Sequence, residues 1–173
     1  MWQAYYAKED VRLFGLLVTL LREQYRYPWW MAAEEGFHLA RAAATFGNAR
    51  SNYEAVLPDL EAAYLTARQW LNAGFDPAAV ARSELAWWVA RRLPGQNSVA
   101  QVGGLIADEY ALLYEVPRDA VLSSATLRAE AAALRDAQAS SPDWQAIARL
   151  LRASYASLHA GVSHRDSAAF AGR

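Results

Sequence analysis

The stretch from Asn97 to Val116 constrains the fold more than any other part of the chain. Most of its residues are apolar, while three polar residues, Gln101, Asp108 and Glu115, recur at a spacing of seven. On a helix, that spacing places the three side chains in one narrow stripe. A helix that is apolar around the rest of its circumference has to be surrounded by other helices. The stretch therefore predicts a central helix within an all-α bundle.

The rest of the chain shows the same helical periodicity, and no run of alternating β-branched residues predicts a strand. A chain of 173 residues suits one domain. We expect a single-domain bundle of about six to seven helices over residues 1–162, and a small, polar, flexible C-terminal tail over 163–173. The helix that follows the central one is rich in alanine and charged residues, so we place it on the outside. The predicted helices cover about residues 9–26, 28–46, 51–73, 76–93, 97–116, 123–138 and 141–161.

Composition excludes several classes of function. The net charge of -1 lacks the basic excess of a nucleic-acid-binding domain, so we expect no nucleic-acid partner. The absence of cysteine excludes disulfides and thiolate chemistry. The apolar run Leu13 to Leu21 is too short to span a membrane and does not resemble a signal peptide. We therefore expect a soluble, cytoplasmic protein. Its many alanines, and its preference for arginine over lysine, are typical of a GC-rich bacterial genome.

Two features of the central helix are unusual. Glu109 lies about 100° around from the polar stripe, among apolar residues. A buried carboxylate has to be paired, hydrogen-bonded or protonated. We expect an arginine partner from a neighbouring helix; a metal-ligating or proton-transfer role and a carboxylate that reaches the surface are the alternatives. Gly103 and Gly104 weaken a helix interior, so we expect another helix to cross closely there.

A metal site is the main enzymatic hypothesis. Glu35 and His38 stand three apart on the second predicted helix, so both side chains can reach one ion. This spacing is similar to half of the ligand set of the ferritin-like carboxylate bundles, which use two such pairs and two further glutamates. The second pair is missing, but Glu61, Glu84 and Glu109 lie on other predicted helices. The alternative function is therefore a metal-binding bundle with oxidoreductase activity, using Glu35, His38 and Glu109 to hold iron, manganese or zinc.

Other catalytic patterns are absent from the sequence. It contains no Gly-x-Ser-x-Gly nucleophile elbow, no Gly-x-Gly-x-x-Gly fingerprint and no phosphate-binding Walker loop. No cofactor is predicted outside the metal hypothesis.

Paired tryptophans are the strongest positive sign of binding. Trp29-Trp30 and Trp87-Trp88 are adjacent pairs, whose members point about 100° apart on a helix. We expect the second member of each pair in the core and the first at the surface, and we place Trp30 with Phe37, Ala40 and Ala44 on the buried side of the second helix. Arg91 and Arg92 follow the second pair and would complete an aromatic and arginine patch.

The leading hypothesis is a non-enzymatic helical protein that acts by binding. We expect it to form a homo-oligomer or to join a protein partner through Trp29, Trp30, Trp87, Trp88, Arg91 and Arg92. A carrier of an apolar small molecule is a third hypothesis, because helical bundles can enclose apolar cavities.

Overall fold

The computed structural model describes residues 1–170, with side chains for residues 1–163. Over this range the chain forms eight α-helices, one short 3-10 helix and no strand. The all-α prediction is confirmed, and the number of helices is corrected from six or seven to eight. The α-helices are α1 (Trp2–Tyr6), α2 (Asp10–Tyr25), α3 (Trp29–Asn48), α4 (Leu57–Leu71), α5 (Pro77–Ala90), α6 (Val99–Tyr114), α7 (Arg118–Ala137) and α8 (Trp144–Phe170), and the 3-10 helix is Tyr53–Val56. No helix in this range has the length and apolar content that crossing a membrane requires.

The chain divides into two compact units, of which the first runs from Met1 to Leu85 and the second begins at Ala86, within α5. The single bundle domain expected over residues 1–162 stays a prediction. The last helix does not end at Gly161, because α8 continues to Phe170. The flexible tail expected over 163–173 also stays a prediction, and residues 171–173 lie outside the described range.

In the first unit, α3 packs against both α2 and α4. Small residues make the contact with α2 close: a Cβ added at Gly36 would lie 3.3 Å from Cγ2 of Val18. The buried residues of α3 are Ala32, Glu35, Gly36, Ala42 and Phe46. Three of these five residues are alanine or glycine, which let the neighbouring helix lie close to α3.

In the second unit, α7 packs against both α6 and α8. Its buried residues are Val121, Ser124, Ala125, Ala129, Ala131 and Ala132. The expected position of this segment on the outside is therefore wrong. Alanine buries little area by itself, but it lets two helices approach α7 closely, which the apolar pattern of the segment does not reveal.

The glycines of α6 are only partly explained by close packing. A Cβ at Gly103 would lie 3.2 Å from the Thr126 Cα atom of α7, which confirms the expected backbone approach. A Cβ at Gly104 would meet only the end of the flexible Arg118 side chain. The polar stripe of α6 lies at the surface, and Val102, Ile106 and Tyr110 are buried.

Local sequence signals locate some helix ends correctly. The Ser98 hydroxyl accepts a hydrogen bond from the Gln101 amide at the start of α6. Asp143 caps α8 by accepting from the backbone amides of Gln145 and Ala146. These are ordinary N-terminal caps, in which a short side-chain oxygen binds amides that have no partner within the helix.

Other local signals are overridden. Ser51 and Glu54 form no capping box, because Asn52 adopts a left-handed conformation and opens the 3-10 helix. The break expected before Ser123 is absent, since α7 is continuous from Arg118 to Ala137. Local sequence signals for one continuous helix are weak in this segment. Its burial against α6 and α8 stabilises the helix nevertheless.

Candidate interaction site

The two sides of α3 differ sharply. Trp30 and Phe37 stand about 20° apart around the helix axis, and Glu35 lies on the opposite side. Trp30 and Phe37 are each 52% exposed, and Trp29 is 68% exposed. The prediction that Trp30 and Phe37 belong to the buried side of this helix is therefore wrong, as is that for Ala44, which is also exposed. We call Trp30 and Phe37 the aromatic face of α3; Trp29 lies about 100° around the helix from Trp30.

A cation lies beside the aromatic face. The Arg41 guanidinium carbon lies 5.1 Å from the centroid of the Phe37 ring, within the range of a cation–π contact. The His38 ring meets the Phe37 ring edge to face, with 5.9 Å between centroids. Tryptophan and arginine are among the residues most enriched in the energetic centres of protein interfaces.

Asp59, on α4, holds these groups in place. Its carboxylate accepts hydrogen bonds from His38 Nδ1 at 2.8 Å and from Arg41 Nε at 2.7 Å, and a further one from the Arg41 terminal nitrogen. Burial raises the pKa of Asp59, but the hydrogen bonds from Arg41 and His38 outweigh it and leave the pKa below its usual value. The carboxylate is therefore charged at neutral pH and orients the Arg41 guanidinium and the His38 ring.

Sequence reasoning missed Asp59. The signal was available, since Pro58-Asp59 is typical of the first turn of a helix, and Arg41 lies three residues after His38 on one helical face. Nothing in the sequence indicates that the first turn of α4 lies beside the middle of α3, because that contact joins residues far apart in the chain.

Glu35 and His38 do not share a site. His38 turns to Asp59, whereas Glu35 is only 4% exposed and lies beside Tyr27 on the α2 side. Burial raises the pKa of Glu35 to about 7, and the Tyr27 hydroxyl only partly opposes that shift. In the part of the chain that the structure describes, no group of three or more His, Asp or Glu side chains is placed to hold a metal ion. The ferritin-like alternative stays a prediction that no observed arrangement favours.

The second tryptophan pair belongs to the second unit and lies differently from the first. Trp87 is buried and Trp88 is half-buried, the reverse of the expected order. The Trp87 indole N–H donates to Oε2 of Glu109 at 2.5 Å. Glu109 is buried as predicted, and the expected arginine partner stays a prediction.

Arg128 completes this buried group. Its guanidinium carbon lies 5.4 Å from the centroid of the Trp87 ring, and its Nη1 donates to the Tyr110 hydroxyl at 3.2 Å. Burial, with a contribution from the charge of Glu109, raises the pKa of Tyr110 to about 12 even though Arg128 opposes the shift. Trp87 is thus enclosed in the unit and cannot present its ring to a partner.

Arg91 and Arg92 are half-buried. Arg91 donates to both carboxylate oxygens of Asp136, at 2.8 and 3.1 Å. Together with Asn97, Val102 and several alanines of α7, this ion pair lines a cleft of about 340 Å³. The lining carries no aromatic side chain, so the cleft differs from the enclosed aromatic cavity that would favour an apolar-ligand carrier.

Comparison with protein-family models, with curated proteins and with solved structures returns no match.

Proposed function

We propose that this protein acts by binding and that the aromatic face of α3 is its binding surface. The observation that carries the proposal is the exposure of Trp30 and Phe37 on the side of α3 opposite the buried Glu35. Large aromatic side chains that stay exposed together mark interaction sites more often than scattered surface residues do. Arg41, which lies beside the face, forms an ion pair with Asp59.

A second copy of the chain is the occupant that this surface fits. In an antiparallel pairing of two α3 helices, with the two-fold axis between residues 37 and 38, residue 34 of one copy lies opposite residue 41 of the other. Glu34 and Arg41 are both exposed and lie on the same side of the helix, about 20° apart. The pairing therefore brings opposite charges together while the aromatic faces meet, which makes the surface self-complementary.

Sedimentation of the intact chain over a wide range of concentration tests this proposal. The expected result is a reversible dimer. The double variant Trp30→Ala/Phe37→Ala should weaken association at least about 30-fold, the factor that corresponds to about 2 kcal/mol, which is the loss expected when even one interface centre is truncated. Glu34→Arg should also weaken it, because the substitution sets two arginines opposite each other.

Leu112→Ala is the matched control, because Leu112 is an exposed apolar residue of α6 in the second unit. A dimer that dissociates equally in the control and in the double variant would place the interface elsewhere. A chain that stays monomeric at every concentration would exclude self-association through this face. For the location of the protein we retain the expectation of a soluble cytoplasmic chain, which cell fractionation would test.

A further inference from the structure

Glu35 lies on the side of α3 that packs against α2, behind the aromatic face. Within the described residues, its Oε2 atom and the Tyr27 hydroxyl are both buried without a hydrogen-bond partner. Tyr27 is 3% exposed and belongs, with Leu21 and Ala32, to an apolar cluster that also contacts Val18, Tyr25, Met31 and Leu39. A carboxyl group in such surroundings is stable in its neutral form and costly in its charged form.

The neighbouring elements supply no compensating charge. The charged residues of α2 and of the 3-10 helix are exposed to solvent: Asp10, Arg12, Arg22, Glu23 and Glu54. On α4, Arg68 is exposed, Glu61 is half-buried and carries the same sign as Glu35, and Asp59 is bound to His38 and Arg41. Tyr27 is the titratable group that acts on Glu35, and its neutral hydroxyl offsets only part of the burial.

We propose that protonation of Glu35 controls how firmly α2 and α3 pack together. The protonated carboxyl holds the helices together, and its ionisation loosens them; we call this the Glu35 latch. The protonated group carries no charge and can donate its own hydrogen to the Tyr27 oxygen. The ionised group keeps a full charge in an apolar cluster. The two helices meet closely beside it, because Gly36 lies against Val18 and Leu17 of α2, so the charge cannot be hydrated without separating them.

The latch regulates the aromatic face, a consequence that rests on the proposed function. Trp30 and Phe37 project from the opposite side of the same helix, so their arrangement depends on how firmly α3 is held. Binding through this face should therefore be stronger when Glu35 is protonated and weaker once it is ionised. The transition falls near neutral pH, because burial raises the Glu35 pKa to about 7 from its usual 4.5.

The direct test is a ¹³C NMR titration of the side-chain carboxyl carbons in the intact chain. The expected result is one glutamate that titrates near pH 7 and whose signal is missing in Glu35→Gln. A Glu35 carboxyl that titrates near 4.5 overturns the proposal. The measurement needs no partner and no unfolding, so it holds even where a variant folds poorly.

The second test compares urea unfolding of the wild type, Glu35→Gln and the control Glu23→Gln between pH 5 and pH 8. The raised folded-state pKa makes stability fall as pH rises toward 7. The unfolding constant of the wild type, relative to Glu35→Gln, should increase on the order of 50-fold over this range. Relative to the exposed control it should stay constant. If the ratio of the wild-type unfolding constant to that of Glu35→Gln does not change with pH, the latch is overturned.

Sedimentation at pH 5.5 and pH 8 then separates the two proposals. Weaker association at the higher pH in the wild type, and none of this pH dependence in Glu35→Gln, supports regulation of the aromatic face. Association that does not change with pH while Glu35 titrates near 7 overturns the regulation of the aromatic face. No association at either pH, with the same titration, removes the proposed function and leaves the latch itself intact.

Discussion

Ser124 of α7 and Ser154 of α8 each donate a hydroxyl hydrogen to the other's backbone carbonyl oxygen, both at 2.9 Å. The two hydroxyl oxygens lie 3.2 Å apart, and both residues are buried. This reciprocal pair satisfies two polar side chains within an otherwise apolar contact. It also requires the two helix backbones to lie close together at one register.

Replacing either serine of this pair should destabilise the chain moderately. Ser124→Ala and Ser154→Ala each remove one hydrogen bond worth about 1 kcal/mol and leave no donor buried without a partner. The double variant should cost less than the sum, because the two hydroxyls contact each other. Urea unfolding measures all three values. The exposed neighbour Ser123→Ala is the control and should change stability little; an equal loss there would show that the effect comes from the helix and not from the pair.

Gly161 lies against the backbone of α7. A Cβ at this position would overlap the carbonyl oxygen of Ala120 and lie 3.1 Å from its carbonyl carbon. Gly161→Ala should therefore destabilise the chain by about 3 kcal/mol, since backbone atoms have to move apart. Gly15→Ala is the matched control: this glycine lies within α2 with no atom within 4 Å of an added Cβ, so alanine should stabilise the helix by up to about 1 kcal/mol. Thermal unfolding of both variants measures the difference, and similar midpoints would contradict the close contact.

Asp59→Asn tests the group beside the aromatic face. The substitution removes the charge that binds Arg41 and His38, and it should cost about 2 kcal/mol at pH 7. Half of Arg41 is exposed, so solvent screening keeps the loss at the lower end of the range for buried pairs. The pKa of Asp59 is lower in the folded chain than its usual 3.8. The stabilisation is therefore present above about pH 4 and is lost as the pH falls further.

Urea unfolding of Asp59→Asn and of the exposed control Asp10→Asn, at pH 7 and near pH 3, measures this dependence. The difference between wild type and Asp59→Asn should shrink at the lower pH. A difference that stays constant across both values would mean that the charge of Asp59 contributes nothing.

Trp87→Phe tests the buried group of the second unit. Phenylalanine keeps an aromatic ring beside Arg128 but removes the indole N–H that binds Glu109. The loss of a donor to a buried carboxylate should cost about 2 kcal/mol, and the smaller ring adds to this. The half-buried Trp88→Phe is the control and should cost less. Equal losses in urea unfolding would indicate that ring size matters and the hydrogen bond to Glu109 does not.

Periodicity alone predicts much of the secondary structure. The expected helices over 9–26 and 76–93 lie close to α2 and α5, and the central helix matches α6 with its polar stripe at the surface. Helix ends were less predictable. Arg26, Asn72 and Glu115 adopt the left-handed conformation at the ends of α2, α4 and α6. Asparagine tolerates that conformation, but arginine and glutamate carry no local signal for it.

The candidate site shows where sequence reasoning stops. Glu35, His38 and Trp30 are recognisable as unusual residues, but their partners Tyr27 and Asp59 come from other segments. Hydrophobicity also predicted the wrong buried face of α3, because a helix that packs through small residues can leave its largest aromatics outside. Which face is buried depends on the shape of the neighbouring helices.

The sequence by itself determined that this chain is all-α, that α6 carries one polar stripe, and that Glu109 is buried, because the helical repeat of apolar residues is a local property of the chain. Only the tertiary structure decided that α7 packs between neighbours, that His38 turns from Glu35 to Asp59, and that the aromatic face of α3 stays exposed. These outcomes depend on contacts between residues distant in sequence, where close backbone approach competes with the burial of large side chains.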